Sequence, residues 1–112
     1  MPVRPLRLVV SSHVARSPND ADAFNWLGYA YRKSGRLDPA FTAYRRALSI
    51  DPRHRGVHEY IGEAYLLAGQ PDKAEEHLRT LASLCPDGCE QRSDLQKAIA
   101  ELRAGPPKVS AR

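Results

Sequence analysis

The chain has 112 residues, 42% apolar and 27% charged, which fits one globular domain and excludes an intrinsically disordered polymer. Its net charge of +4 divides unevenly: ten Lys/Arg against four Asp/Glu over residues 1–55, seven against nine over 56–112. No stretch approaches the ~20 apolar residues that cross a bilayer, and no nucleic-acid motif accompanies the basic half, so those charges read as solvated helix faces.

The N-terminal stretch from Met1 to Val10 carries basic residues and a short apolar patch. That patch is too brief for the ~7–15-residue core of a signal peptide. As written, the sequence predicts a cytoplasmic protein, or a periplasmic one if the N-terminus is truncated or mis-called. Leu6, Val10 and Val14 fall at helical spacing, and Pro18 lies 34 residues before Pro52, so Pro5–Arg16 reads as the second helix of a degenerate half-repeat within residues 1–20.

From residue 21 the pattern sharpens into helical hairpins. Phe24, Leu27, Ala30 and Tyr31 make one apolar face of a helix that Ser34-Gly35 ends, because glycine takes the left-handed cap conformation without steric cost. Asp38-Pro39 is expected to open the next helix, with Asp as the cap. Ala40, Tyr44, Ala47 and Leu48 form its buried face, and Asp51-Pro52 stops it.

The plan then repeats: Ile61, Ala64, Tyr65 and Ala68, a break at Gly69, and Ala74, Leu78, Leu81 and Leu84, ending at Cys85-Pro86. Ser93-Asp94-Leu95-Gln96 reads as a capping box, followed by Leu95, Ala98, Ile99 and Leu102, expected to form a buried stripe, with polar Gln96, Lys97, Glu101 and Arg103 opposite. This is a closing helix within residues 89–105. The tail 106–112 reads as disordered.

The two hairpins share one register. Leu27 and Ile61, Gly28 and Gly62, Ala30 and Ala64, Tyr31 and Tyr65, Gly35 and Gly69, Asp38 and Asp72, Ala40 and Ala74, and Pro52 and Pro86 are each 34 residues apart. Residues 21–54 and 55–88 therefore resemble two tetratricopeptide repeats. The first supplies Phe24, Leu27, Gly28, Tyr31, Ala40, Tyr44, Ala47 and Pro52 at the family's positions. The second supplies His58, Ile61, Gly62, Tyr65, Ala74, Leu78, Leu81 and Pro86, departing at His58, where a large aromatic is usual, and at Leu81, where a small residue is usual.

The resemblance implies an all-α fold: a short right-handed stack of helix-turn-helix repeats with a C-terminal capping helix. Small residues at Gly28 and Ala40 let the paired helices cross closely. Since one unit cannot bury its apolar face and about three are normally needed, the flanks must contribute.

The resemblance also implies function. Such stacks bind another protein or peptide along the concave face lined by the first helix of each pair. The candidate residues there are Asn25, Trp26, Tyr29, Arg32 and Lys33, then Glu59, Tyr60, Glu63, Leu66 and Leu67. Trp26, Tyr29 and Tyr60 are rigid aromatic anchors with polar handles, and the alternative is that Trp26 and Tyr60 fill inter-repeat contacts. A related class grips C-terminal carboxylates with Lys and Asn; Asn25, Tyr29 and Tyr60 stand in those places here, so that clamp is not expected. No cofactor, nucleic acid or membrane partner is implied. A homo-oligomer built from basic and acidic halves is a second reading.

Catalysis is not expected, because the chain lacks a phosphate loop, a nucleophile elbow and a His-Glu-x-x-His helix. Cys85 and Cys89 flank Pro86-Asp87-Gly88, turn chemistry that can bring two thiols together, and both free thiols and a disulfide remain open. The chain is also similar to small bacterial repeat proteins that carry Cys-x-x-x-Cys before a closing helix and are often exported, which stands against the missing signal peptide. A metal-linked reading through His54, His58, His77 and the cysteines is the weakest, since their spacing matches no zinc motif.

Overall fold

A computed structural model describes residues 19–105. The half-repeat helix expected over residues 5–16 and the tail 106–112 lie outside the described residues. Five helices follow one another: α1 (Ala21–Lys33), α2 (Leu37–Ile50), α3 (Arg55–Leu67), α4 (Pro71–Leu84) and α5 (Glu90–Ala104). Among the described residues there is no strand. The chain is all-α, a stack of helical hairpins: α1 packs with α2 and α3 with α4, while α5 lies against both α3 and α4.

Local chemistry accounts for the helix ends. Asp20 caps α1, its carboxylate accepting from the Ala23 N–H at 3.1 Å. α1 and α3 end in the same device. Gly35 and Gly69 sit at φ 78° and 75°. The next residue's N–H reaches back to a carbonyl near the helix end, Arg36 to Tyr31 at 2.9 Å and Gln70 to Tyr65 at 2.8 Å.

Two expected starts are corrected. Asp38 does not cap α2; Arg36 holds that position without a side-chain bond, and Asp38 lies inside the first turn, where its charge meets the positive helix end. Likewise α5 begins at Glu90 with Cys89 as its cap residue, so Ser93 is already helical and donates its N–H to the Cys89 carbonyl at 3.0 Å. The turn over Pro86–Gly88 closes at once, Gly88 donating to the Cys85 carbonyl at 2.9 Å, and leaves Cys89 extended and ready to start a helix.

The core runs between the hairpins. Ala40, Phe41, Tyr44 and Ala47 of α2 meet Val57, Ile61 and Ala64 of α3; Ala74 and Leu81 of α4 meet Leu95 and Ile99 of α5; Tyr65 touches both groups. Each large side chain buried in this way contributes roughly 1.5–3 kcal/mol. The two glycines that share the 34-residue register face different neighbours. A methyl on Gly28 would lie 2.5 Å from Cε1 of the buried Tyr44 ring, while one on Gly62 would lie 2.7 Å from Cδ2 of Leu95. Leu95 thus fills at the second hairpin the space that Tyr44 fills at the first.

His58, at the position expected to hold an aromatic, is buried and polar-bonded. Its Nε2 donates to the Pro52 carbonyl at 2.8 Å, so its Nδ1 accepts, from His77 Nδ1 at 3.0 Å. Rings of Phe41, Tyr65 and His77 continue the contact across the hairpin boundary, with centroids 4.6 and 5.7 Å apart. Burial, and then the neighbouring His58, pull the His77 imidazole down to about 4.

Candidate peptide-binding groove

Helices α1, α3 and α5 form one wall of the stack. At its centre three rings meet. Trp26 stands edge-on to Tyr29 and to Tyr60, with centroids 5.8 and 6.2 Å apart, and the two tyrosines are 5.2 Å apart. Trp26 is 47% exposed, whereas the tyrosines are half-buried.

Arg32 is held beside them. Its guanidinium carbon lies 5.2 Å from the Tyr29 ring centre and 5.3 Å from that of Tyr60, and Nη1 donates to Glu63 Oε1 at 2.7 Å. Two rings and a carboxylate therefore fix one cation in place. Lys33, by contrast, is exposed, with its Nζ 5.8 Å from the Tyr29 ring centre.

Toward the C-terminal ends of the three helices the wall opens into an apolar groove of ≈ 740 Å³, walled by Leu66 and Leu67 on one side and Ala98 and Leu102 on the other, with Arg32 and Lys33 at its edge. Leu67 is 65% and Leu102 47% exposed. With Trp26, these are the large apolar side chains left exposed among the described residues, and all three belong to this wall.

Toward the N-terminal ends lies a second recess of ≈ 410 Å³, where Trp26 and Tyr60 face Glu59, Glu90 and Asp94. Burial, together with a hydrogen bond to Glu63 and repulsion from Glu63, Asp94 and Glu90, pushes the Glu59 carboxyl up to about 8. Asn25 lines the same recess at 5% exposure, packed over Gly56, and its Oδ1 has no hydrogen-bond partner.

The ten residues assigned from sequence to this wall fall into different environments. Trp26, Tyr29, Tyr60, Lys33 and Leu67 offer surface. Leu66 packs partly on the Ala74–Leu81 core, and Arg32 and Glu63 are engaged with each other. Asn25 is not a surface contact but buried lining.

The sequence pattern gives no place in the site to α5, and it puts Leu102 in the buried stripe; instead Leu102 is exposed and α5 supplies the third side of the wall. The signal was present. Carrying the 34-residue offset one step further relates Ile61 to Leu95, Ala64 to Ala98 and Tyr60 to Asp94, which makes α5 the first helix of a third unit in position if not in composition.

Cys85 and Cys89 lie with sulfurs 2.06 Å apart, at disulfide bonding distance, and join the end of α4 to the start of α5. His54 and His58 do not converge. His54 caps α3, its Nδ1 accepting from the Val57 N–H at 3.1 Å while Nε2 donates to Asp22. Among the described residues no three His, Cys, Asp or Glu side chains gather at metal-ligand spacing, so the metal-linked arrangement is not formed there. Nor, among the described residues, is any helix long and apolar enough to cross a membrane.

Comparison with known proteins gives two matches to one kind of repeat. One family model described as tetratricopeptide repeat matches residues 21–54, and a second with the same description matches residues 42–88. Among curated proteins, Protein bimA of Emericella nidulans is 33% identical over 69 residues, which is 62% of this chain and 9% of that protein's length.

Proposed function

The chain belongs to the tetratricopeptide repeat family and is a protein–protein interaction module, and we propose that it holds an extended peptide or a helix of a partner protein along the wall of α1, α3 and α5. One observation carries this reading. Trp26, Leu67 and Leu102 are exposed on one wall, although each would stabilise the fold by roughly 1.5–3 kcal/mol if buried. Trp and Tyr at such a wall provide large contact area at low entropic cost, as interface hot spots do. Binding rather than catalysis is the role these groups suit, since the wall presents rings and aliphatic side chains without a paired nucleophile and base.

The test begins with peptides selected from a random display library on the immobilised full chain, their affinities measured by fluorescence anisotropy. Trp26→Ala/Tyr60→Ala and Leu67→Asp are each expected to weaken binding by about tenfold or more, equivalent to at least ~1.4 kcal/mol. Helicity and melting temperature should stay close to wild type, and Arg79→Ala on exposed α4 should bind normally. Wild-type affinity in both wall variants would refute the groove.

A further inference from the structure

Cys85 and Cys89 lie away from the wall's rings and groove. They close the short turn Pro86-Asp87-Gly88, with Cys85 just after α4 and Cys89 just before α5. The bond between them is not what holds that turn. Gly88 donates its N–H to the Cys85 carbonyl at 2.9 Å, and Arg92 Nη1 reaches the Cys85 and Pro86 carbonyls at 3.2 and 3.1 Å. Leu95 and Ile99 anchor α5 in the core. The ends of the turn therefore stay together whether or not the sulfurs are joined. So short a loop also gains little from a cross-link, because the entropy a disulfide removes from the unfolded chain shrinks with loop length.

Both sulfurs sit where a thiol has partners. Cys85 is 5% exposed, and its Sγ lies 3.0 Å from the Leu81 carbonyl oxygen. Bonded to Cys89 it has no proton to give; as a thiol it can donate S–H to that oxygen where it stands. Cys89 holds the N-cap position of α5 in extended backbone, φ −160° and ψ 163°, and its side chain makes no cap bond. At the start of α1 the same position is filled by the Asp20 carboxylate. A free sulfur at Cys89 meets the first-turn N–H groups and the positive end of a 15-residue helix, which favour the thiolate. Exposure also separates the two, since Cys89 is half-buried while Cys85 is enclosed.

We propose that Cys85 and Cys89 form a redox-active pair that exchanges reversibly with low-molecular-weight thiols while the fold stays intact. An external thiolate RS⁻ attacks Cys89 Sγ and forms R–S–S–Cys89. The electron pair of the old S–S bond goes to Cys85 Sγ, which takes a proton from water and donates it to the Leu81 carbonyl as a hydrogen bond. A second RS⁻ attacks the R sulfur, RSSR leaves, and Cys89 keeps the electron pair as a thiolate at the start of α5. Two thiolates are oxidised to one disulfide, and the protein takes up two electrons and one proton. In the oxidising direction Cys89 attacks RSSR first, and Cys85 then displaces the second thiolate. This activity is independent of the groove and survives its failure.

The experiment equilibrates the full chain in oxygen-free mixtures of glutathione and glutathione disulfide. Acid quenching, then alkylation of the unfolded chain, lets intact mass count the free thiols. Samples started oxidised and samples started reduced should converge at each ratio, with both thiols appearing together and helicity unchanged by circular dichroism. In Cys85→Ser the remaining Cys89 should take up one glutathione from the disulfide. It should also react with iodoacetamide about tenfold faster or more than Cys85 does in Cys89→Ser.

A pair that stays oxidised against excess glutathione until urea unfolds the chain is a structural cross-link, and that result overturns the proposal. So does a loss of helicity on reduction, a pair that glutathione disulfide never oxidises, or a Cys85 that reacts as fast as Cys89. The wild-type titration decides by itself if either serine variant fails to fold.

Discussion

Burial acts on His77 and Glu59 by one mechanism, penalising the charged form, and makes the protein's stability depend on pH in two opposite senses. His77 falls from its ordinary 6.5 to about 4. The stability gained by keeping it neutral is present above 6.5 and is lost as pH drops toward 4, because the unfolded chain then binds the proton more readily. Glu59 rises from 4.5 to about 8, so its contribution is present below 4.5 and is lost as pH climbs through 8.

Urea midpoints measured from pH 4 to 9 should therefore fall at both ends. His77→Phe, which keeps a ring against Tyr65, should remove much of the acid loss, and Glu59→Gln the alkaline loss. A flat wild-type profile would contradict both assignments. His58 was legible as a packed histidine because the repeat register puts it at a core position. Its partner His77 was not, since nothing in a linear pattern says which residue of the next helix will reach it.

At the scale of the element, α5 decides how the stack is sealed. Gly62→Ala would gain about 1 kcal/mol of helix propensity, yet it pushes a methyl to 2.7 Å from Leu95, a fully buried side chain. Overpacking costs of ~1–3 kcal/mol should win, lowering stability by about 1–2 kcal/mol in urea denaturation. Adding Leu95→Val should recover part of it. If Gly62→Ala is stabilising, the close approach of α5 to α3 is not as described.

Glycine ends of α1 and α3 were readable because only φ > 0 satisfies the last carbonyls there. The start of α5 was not, because a local Ser-x-x-Gln signal competes with a cap set by the turn before it. Leu102 was misread for a related reason. It shares the apolar stripe of Leu95 and Ile99, but the core those two fill does not extend to the last turn.

Across the whole molecule the two hairpins are tied by Arg32 and Glu63, 31 residues apart, with side chains 8% and 22% exposed. Arg32→Ala leaves a largely buried carboxylate without its partner and should cost about 2 kcal/mol, whereas Lys33→Ala on the exposed neighbour should stay within about 0.5 kcal/mol. Equal melting temperatures for the two variants would show that the pair contributes no coupling between units.

The helical stack itself was plain from the 34-residue offset, because small residues and turn formers recur only where hairpins must cross and close. The groove was half visible. Two of its walls lay in recognisable repeats, while the third belongs to a helix that keeps the register of Ile61 and Ala64 but not the repeat's signature residues.

One consequence of the wall's composition is practical. The chain has a single tryptophan, Trp26, and it stands at the rim of the acidic recess, outside the buried core. Its indole emission is thereby a built-in sentinel for an arriving guest: a ligand that covers the ring should shift the spectrum to the blue, and unlabelled protein is enough to see it.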